Sequence, residues 1–125
     1  MSVGGFLIDT HILLWDMTGS ERLQNHHKDI LESNSRLFIS TASIWEIAIK
    51  ASIRKLPMPD DLLAQIYSSN INVLPISPEH ALEVSHLPHH HRDPFDRMLV
   101  AQAQMENLTI MTMDKNIRLY DVNTI

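Results

Sequence analysis

The 125-residue sequence contains no cysteine, which excludes disulfides, thiolate metal sites and cysteine nucleophiles. Such a composition fits a reducing compartment. Long apolar runs are also missing: stretches such as Ile12 to Trp15 fall far short of the roughly 18 residues of a membrane-crossing helix. The N-terminal Met-Ser-Val-Gly-Gly-Phe-Leu-Ile reaches Asp9 too soon for a signal peptide and has no basic leader, so a cytoplasmic chain with no membrane partner is expected. Glycine is scarce, and two of the three residues, Gly4 and Gly5, precede the first strand candidate. Short connections follow from that. Positive charge is in deficit, with 10 Lys and Arg against 15 Asp and Glu and a net charge of −5. A protein that binds nucleic acid by neutralising phosphates leans the other way. Any such function must gather its basic residues locally or recruit a cation.

What is present suits one folded domain spanning 1–125, since 44% of the residues are apolar, too many for a disordered chain. No internal repeat or linker interrupts it. Strand candidates fall at 6–8, 37–39, 73–76, 109–111 and within 119–122. Helix candidates fall at 11–17, 21–34, 44–55, 60–69, 78–87 and 94–107. The proline at Pro75 places the third strand at a sheet edge. Strands alternating with helices imply right-handed crossovers and a parallel sheet covered on both faces. In such sheets the functional crevice lies at the carboxyl ends of the strands. Asp9 and Asp114 follow apolar runs and fall there.

Each acid has a structural reading beside the functional one. Asp9 could end its strand and cap the next helix, and Asp114 could be a turn residue. Ser43-Ile44-Trp45-Glu46 fits a capping box, with Ser43 as cap. Glu46 and Lys50 form an i, i+4 pair worth about 0.2–0.5 kcal/mol. In Asp93-Pro94-Phe95-Asp96 the first acid suits a cap and the second lies three residues inside the helix. Together the four segments say more. Two acids at strand ends and two in the first turns of helices could surround one crevice, where helix N-termini favour ionised carboxylates. Oxygen donors without cysteine suit Mg²⁺ or Mn²⁺, which bind few carboxylates and keep waters. Without a cation, two charges 5 Å apart at an effective dielectric near 20 repel by roughly 3 kcal/mol.

Leu7-Ile8-Asp9-Thr10-His11, the run from Ser43 to Lys50, His91-Arg92-Asp93-Pro94-Phe95-Asp96-Arg97 continuing to Ala103, and Thr112-Met113-Asp114 resemble the ordered motifs of PIN domains. More closely, they resemble the VapC toxins of type II toxin–antitoxin modules. The resemblance spans Phe6 to about Asp121. It implies a three-layer α/β/α domain with a parallel five-stranded sheet in order 3-2-1-4-5. It also implies an Mg²⁺- or Mn²⁺-dependent endoribonuclease in which Asp9, Glu46, Asp96 and Asp114 are the metal-binding, catalytic quartet. Asp93, three residues upstream of the family's position, reads as a cap or an outer support. Thr10 and Thr112 are candidates to orient carboxylates, or to make ordinary turn hydrogen bonds. Lys50, Arg92, Arg97 and Lys115 are candidates for flanking RNA phosphates, or solvated charges paired with nearby acids. The implied partners are RNA, a cognate antitoxin protein and a second copy of the chain, with DNA recognition left to the antitoxin.

The remaining features carry less. His89-His90-His91 has the composition of a metal tract, but consecutive loop residues rarely face one ion, and solvent exposure or RNA contact suits it better. His11 lies near Asp9 without being a required ligand. Trp15 and Trp45 read as core, and the seven methionines as core filler. A phosphoacceptor receiver would need paired acids after the first strand and an Asp after the third, and both are missing. A dehalogenase-type phosphatase would need Asp-x-Asp where Asp9-Thr10-His11 stands. A catalytically inactive RNA-binding module of the same fold is the remaining alternative. Four acids would hinder RNA binding alone, which argues against it.

Overall fold

Short apolar runs bounded by polar residues form the sheet. A computed structural model describes residues 4–125; Met1, Ser2 and Val3, the start of the N-terminal segment considered above, lie outside the described residues. The strands are β1 (Phe6–Ile8), β2 (Leu37–Ser40), β3 (Ile71–Leu74) and β4 (Thr109–Met111). All pair in parallel, in the order β3-β2-β1-β4. Side chains alternate across the sheet. Leu7 and Ile110 face one core layer, with Leu99, Val100 and Ala103. Ile8, Ile39 and Met111 face the other, with Ile12, Leu13 and Ile47. Helices cover both faces, giving the expected three layers.

The helices are α1 (Thr10–Thr18), α2 (Asn25–Glu32), α3 (Thr41–Ser52), α4 (Leu62–Tyr67), α5 (Pro78–Glu83) and α6 (Pro94–Glu106). Local chemistry sets their ends. Gly19, with φ of 65°, closes α1 in the left-handed region that glycine enters without penalty. Asp93 caps α6, its Oδ1 accepting from the N–H groups of Phe95 and Asp96 at 2.9 and 3.0 Å, and Pro94 takes the first helical position.

Several boundaries differ from the sequence reading. The helix expected at 44–55 starts at Thr41, because Ser40 and not Ser43 is its cap; Ser40 Oγ accepts from the Ala42 N–H at 2.9 Å. The capping box expected at Ser43–Glu46 is therefore absent, and one forms at Ser77 and His80. The third strand begins at Ile71, ahead of Pro75, and does occupy the sheet edge. The fifth strand expected within 119–122 is not there. Ile117–Leu119 is a 3₁₀ turn, and Tyr120 turns inward to pack under α6. Its place beside β4 is taken by one parallel bridge, Ile110 to Thr124. That bridge is held by Ile110 N–H to Asn123 O at 2.8 Å and Ile125 N–H to Ile110 O at 2.9 Å.

Gly5 marks where β1 approaches the chain entering β2. A Cβ there would stand 2.6 Å from Arg36 O and 2.9 Å from Arg36 Cβ. Backbone on one side leaves little room to yield. Gly5→Ala is expected to destabilise the fold by about 1–3 kcal/mol, measured by urea unfolding; an unchanged midpoint would contradict this close approach.

Candidate active site

β1 and β4 are neighbours, so Asp9 and the turn after β4 emerge side by side at the carboxyl end of the sheet. Asp9 stands at the N-cap position of α1, yet its side chain makes no capping bond. Instead Thr112 Oγ1 donates to Asp9 Oδ2 at 2.7 Å. The same hydroxyl oxygen accepts the Asp114 N–H at 2.9 Å, and Asp114 Oδ1 accepts the Asn116 N–H at 2.8 Å. One threonine thus ties the two strand-end acids to one turn. Glu46, on the second turn of α3, is bound by Thr10 Oγ1 at 2.7 Å through Oε1 and by Lys50 Nζ at 2.5 Å through Oε2. Asp96, on the first turn of α6, meets His91 Nε2 at 3.1 Å through Oδ2.

Asp9, Glu46 and Asp96 are buried and Asp114 is half-buried. Their proximity is written in the electrostatics. Burial pushes the Asp9 carboxyl up to about 6; the Thr112 hydroxyl and His11 oppose the rise, while Glu46 and Asp114 add to it. Burial again leads at Asp96, and repulsion from Asp9, Asp93, Asp114 and Glu46 takes it up to about 8. Each acid of the expected quartet is therefore felt by Asp96. A cleft of about 230 Å³ opens beside them, lined by Asp9, His11, Ile12, Trp15, Met113 and Asp114. It is consistent with access to the cluster from the α1 and β4 side.

The basic candidates divide. Lys50 is engaged with Glu46, and although burial weakens its charge, the Glu46 bond and the nearby Asp93 and Asp96 raise its pKa overall. Arg92 and Lys115 are exposed. Arg97 is not available to RNA: it is 6% exposed, and its guanidinium donates to Tyr120 Oη and to the carbonyls of Pro88, Val84 and Leu87. It ties down the chain before α6. Trp45, expected in the core, is 60% exposed and meets Phe95 edge-on, with ring centroids 5.3 Å apart. Its helix turns that face outward once α3 starts at Thr41. Trp15 is half-buried against the core as expected.

His91 and Tyr120 were not singled out as site residues by the sequence. His91 stands five residues before Asp96 in a histidine tract that suggested exposure, and Tyr120 lies 29 residues beyond His91. Only folding joins them.

The donor set can be tested against a cation. Among the described residues, no three His, Asp or Glu side chains are drawn together closely enough to hold one ion directly. What the cluster does offer is carboxylate oxygen, the donor type that hard divalent cations take directly or through their waters.

The PIN domain family profile matches residues 6–123. The chain belongs to the PIN domain family. No curated protein matches the sequence. Solved structures share the fold of this PIN domain at low identity. A chain of VapBC2 from Rickettsia felis bound to a promoter DNA fragment has 16% identity and a TM-score of 0.73, with 96% of each chain covered. A chain of DNA-bound VapBC from Salmonella typhimurium has 17% identity and a TM-score of 0.70, with 98% of each covered. A chain of FitAcB from Neisseria gonorrhoeae has 15% identity and a TM-score of 0.69, with 96% of each covered. The fold class read from the sequence is thereby established. Among the described residues, no helix is long and apolar enough to cross a membrane.

The raised carboxyls make stability depend on pH. Both groups sit above their ordinary value of 3.8, so the folded PIN domain keeps protons that the unfolded chain releases. Their stabilising contribution is complete below about pH 4 and fades as pH climbs through about 6 and then about 8. In chelator, the melting temperature should fall between about pH 4 and about pH 8, the part above about pH 6 coming from Asp96. Asp96→Asn should flatten that fall and melt several degrees higher at the alkaline end. Parallel melting profiles for the two proteins would show that Asp96 is not under this repulsion.

Proposed function

We propose that this PIN domain is a metal-dependent endoribonuclease and the toxin of a toxin–antitoxin pair. One observation carries the reading. Acids from four separate segments converge: burial, with the added charges of Glu46 and Asp114, raises the proton affinity of Asp9 and Asp96. A folded protein tolerates such repulsion where a ligand relieves it.

Asp9, Glu46, Asp96 and Asp114 would hold a hydrated Mg²⁺ or Mn²⁺, some directly and some through water. When bound, such a cation activates water for attack and stabilises charge developing on the phosphate oxygens. The protein's own contribution is placement. Thr112 fixes one oxygen of Asp9 and Thr10 one oxygen of Glu46, which limits how each carboxylate can rotate. Lys50 supplies a positive charge at Glu46 and becomes available to a phosphate if that pairing is exchanged. Arg92 and Lys115 are exposed and placed near the acidic segments in sequence, suited to phosphates on either side. In-line attack by water would leave a 5′-phosphate and a 3′-hydroxyl, with no role for the ribose 2′-hydroxyl as nucleophile.

The toxin role draws on the shared fold. Two of the solved neighbours come from DNA-bound VapBC complexes. A cognate antitoxin would place a basic side chain, an arginine in our reading, into the carboxylate cluster and exclude the cation. DNA recognition would then belong to the antitoxin, and the toxin would act as a homodimer in the cytoplasm.

RNA cleavage should require Mg²⁺ or Mn²⁺ and stop in chelator. Asp9→Asn and Asp96→Asn should each slow it by about 100-fold or more, the equivalent of a few kcal/mol of lost transition-state stabilisation. Thr112→Val, which keeps the packing but frees Asp9, should cost about 10–100-fold. If wild type and both carboxylate variants bind RNA alike and none cleaves it, the chain is an RNA-binding module and not a nuclease. Mass spectrometry of material purified from its native host should identify a small basic-tailed partner. Recovery of the chain alone, with no toxicity on expression, would remove the toxin role.

A further inference from the structure

Asp96 is held from behind by three side chains whose hydrogen bonds can run in only one direction. Arg97 Nη1 donates to Tyr120 Oη at 3.0 Å, and a guanidinium has no acceptor atom to offer in return. Arg97 is itself fixed by the carbonyls of Pro88 at 2.8 Å, Val84 at 3.2 Å and Leu87 at 3.4 Å. Tyr120 is 4% exposed, so its hydroxyl hydrogen cannot be left to solvent cheaply. The acceptor within reach is His91 Nδ1, 2.9 Å away. His91 Nδ1 must then be unprotonated, which places the ring's hydrogen on Nε2. That atom faces Asp96 Oδ2 at 3.1 Å. The opposite order would point two donors at Tyr120 and leave its own hydrogen without an acceptor among the described residues.

We propose that the Arg97–Tyr120–His91 chain is a positioning device for Asp96, which locks His91 as the Nε2–H tautomer and pins one oxygen of the Asp96 carboxylate. The inference deepens the nuclease reading and rests on it for the purpose of Asp96, although the hydrogen-bond order stands on geometry alone. The device also explains two placements that phosphate binding does not. Arg97 is buried because it orders the chain, and His91 is 12% exposed within a histidine tract because its ring is clamped at both nitrogens. His90 packs edge-on against the same tyrosine, with ring centroids 4.8 Å apart, and closes that side. His91 and Tyr120 are positioning residues, acting on the site through Asp96.

The test uses the full ¹⁵N-labelled chain in chelator, with imidazole tautomers read from long-range ¹H–¹⁵N correlation spectra. Comparison with His91→Gln identifies the His91 signals. Wild type should show His91 as the Nε2–H tautomer alone. Tyr120→Phe keeps the ring and its packing but removes the hydroxyl, so His91 should shift to a mixture of tautomers. The same variant should bind Mn²⁺ about 10–100-fold more weakly by calorimetry, with kcat reduced and KM little changed. His91→Gln, which offers one donor and one acceptor, should retain more Mn²⁺ affinity than His91→Ala. An Nδ1–H tautomer in wild type, or a Tyr120→Phe protein with unaltered tautomer and Mn²⁺ affinity, overturns the proposal. Absence of cleavage by wild type overturns the nuclease reading instead, and the tautomer result then still decides whether the chain orders Asp96.

Discussion

Like charges forced together in a poorly hydrated place are the constraint around which this molecule is arranged. Asp9, Glu46 and Asp96 are buried, and that burial, joined by repulsion within the cluster and from Asp114, raises the proton affinity of Asp9 and Asp96. A sheet and six helices have to hold these groups close against their own field. Core burial supplies that force: Leu7 and Ile8 of β1 are inaccessible to solvent on opposite faces of the sheet, so the strand delivering Asp9 is gripped from both sides.

The hydrogen bonds near the acids are crossed between segments. Thr10, which follows Asp9 in the chain, serves Glu46 on α3, while Thr112 at the end of β4 serves Asp9. Each carboxylate is therefore steadied by an element other than its own. Such bracing couples the positions of β1, β4 and α3, so movement in one changes the geometry of the others. Asp93 plays a different part. It caps α6 through backbone amides and adds its charge to the field on Asp96 from one turn away.

Much of this was legible in the chain. Short, mostly apolar runs with an acid within the next three residues located β1 and β4, and Asp93-Pro94 located the start of α6, because those signals are local. The parallel topology followed from alternation of elements. Where reading failed, the deciding interaction was distant or had a close competitor. Ser40 and Ser43 are both plausible caps, and only the tertiary placement of α3 chose between them, carrying Trp45 to the surface. Arg97 looked like a phosphate ligand because its four acceptors lie elsewhere in sequence. Tyr120 looked like a strand residue, since inward rotation of one aromatic ring leaves no trace in hydrophobic periodicity. The last strand shrank to a single bridge because the 3₁₀ turn before it used the residues that pairing would have needed.

The bond between Thr112 and Asp9 joins residues 103 positions apart. During synthesis from the N-terminus, β1 leaves the ribosome long before the residues that complete its acidic end. Until β4 docks beside it, Asp9 has neither its threonine nor Asp114, and the cluster does not exist. The acidic cluster is thus a late product of folding, assembled only when the two ends of the sequence meet in neighbouring strands.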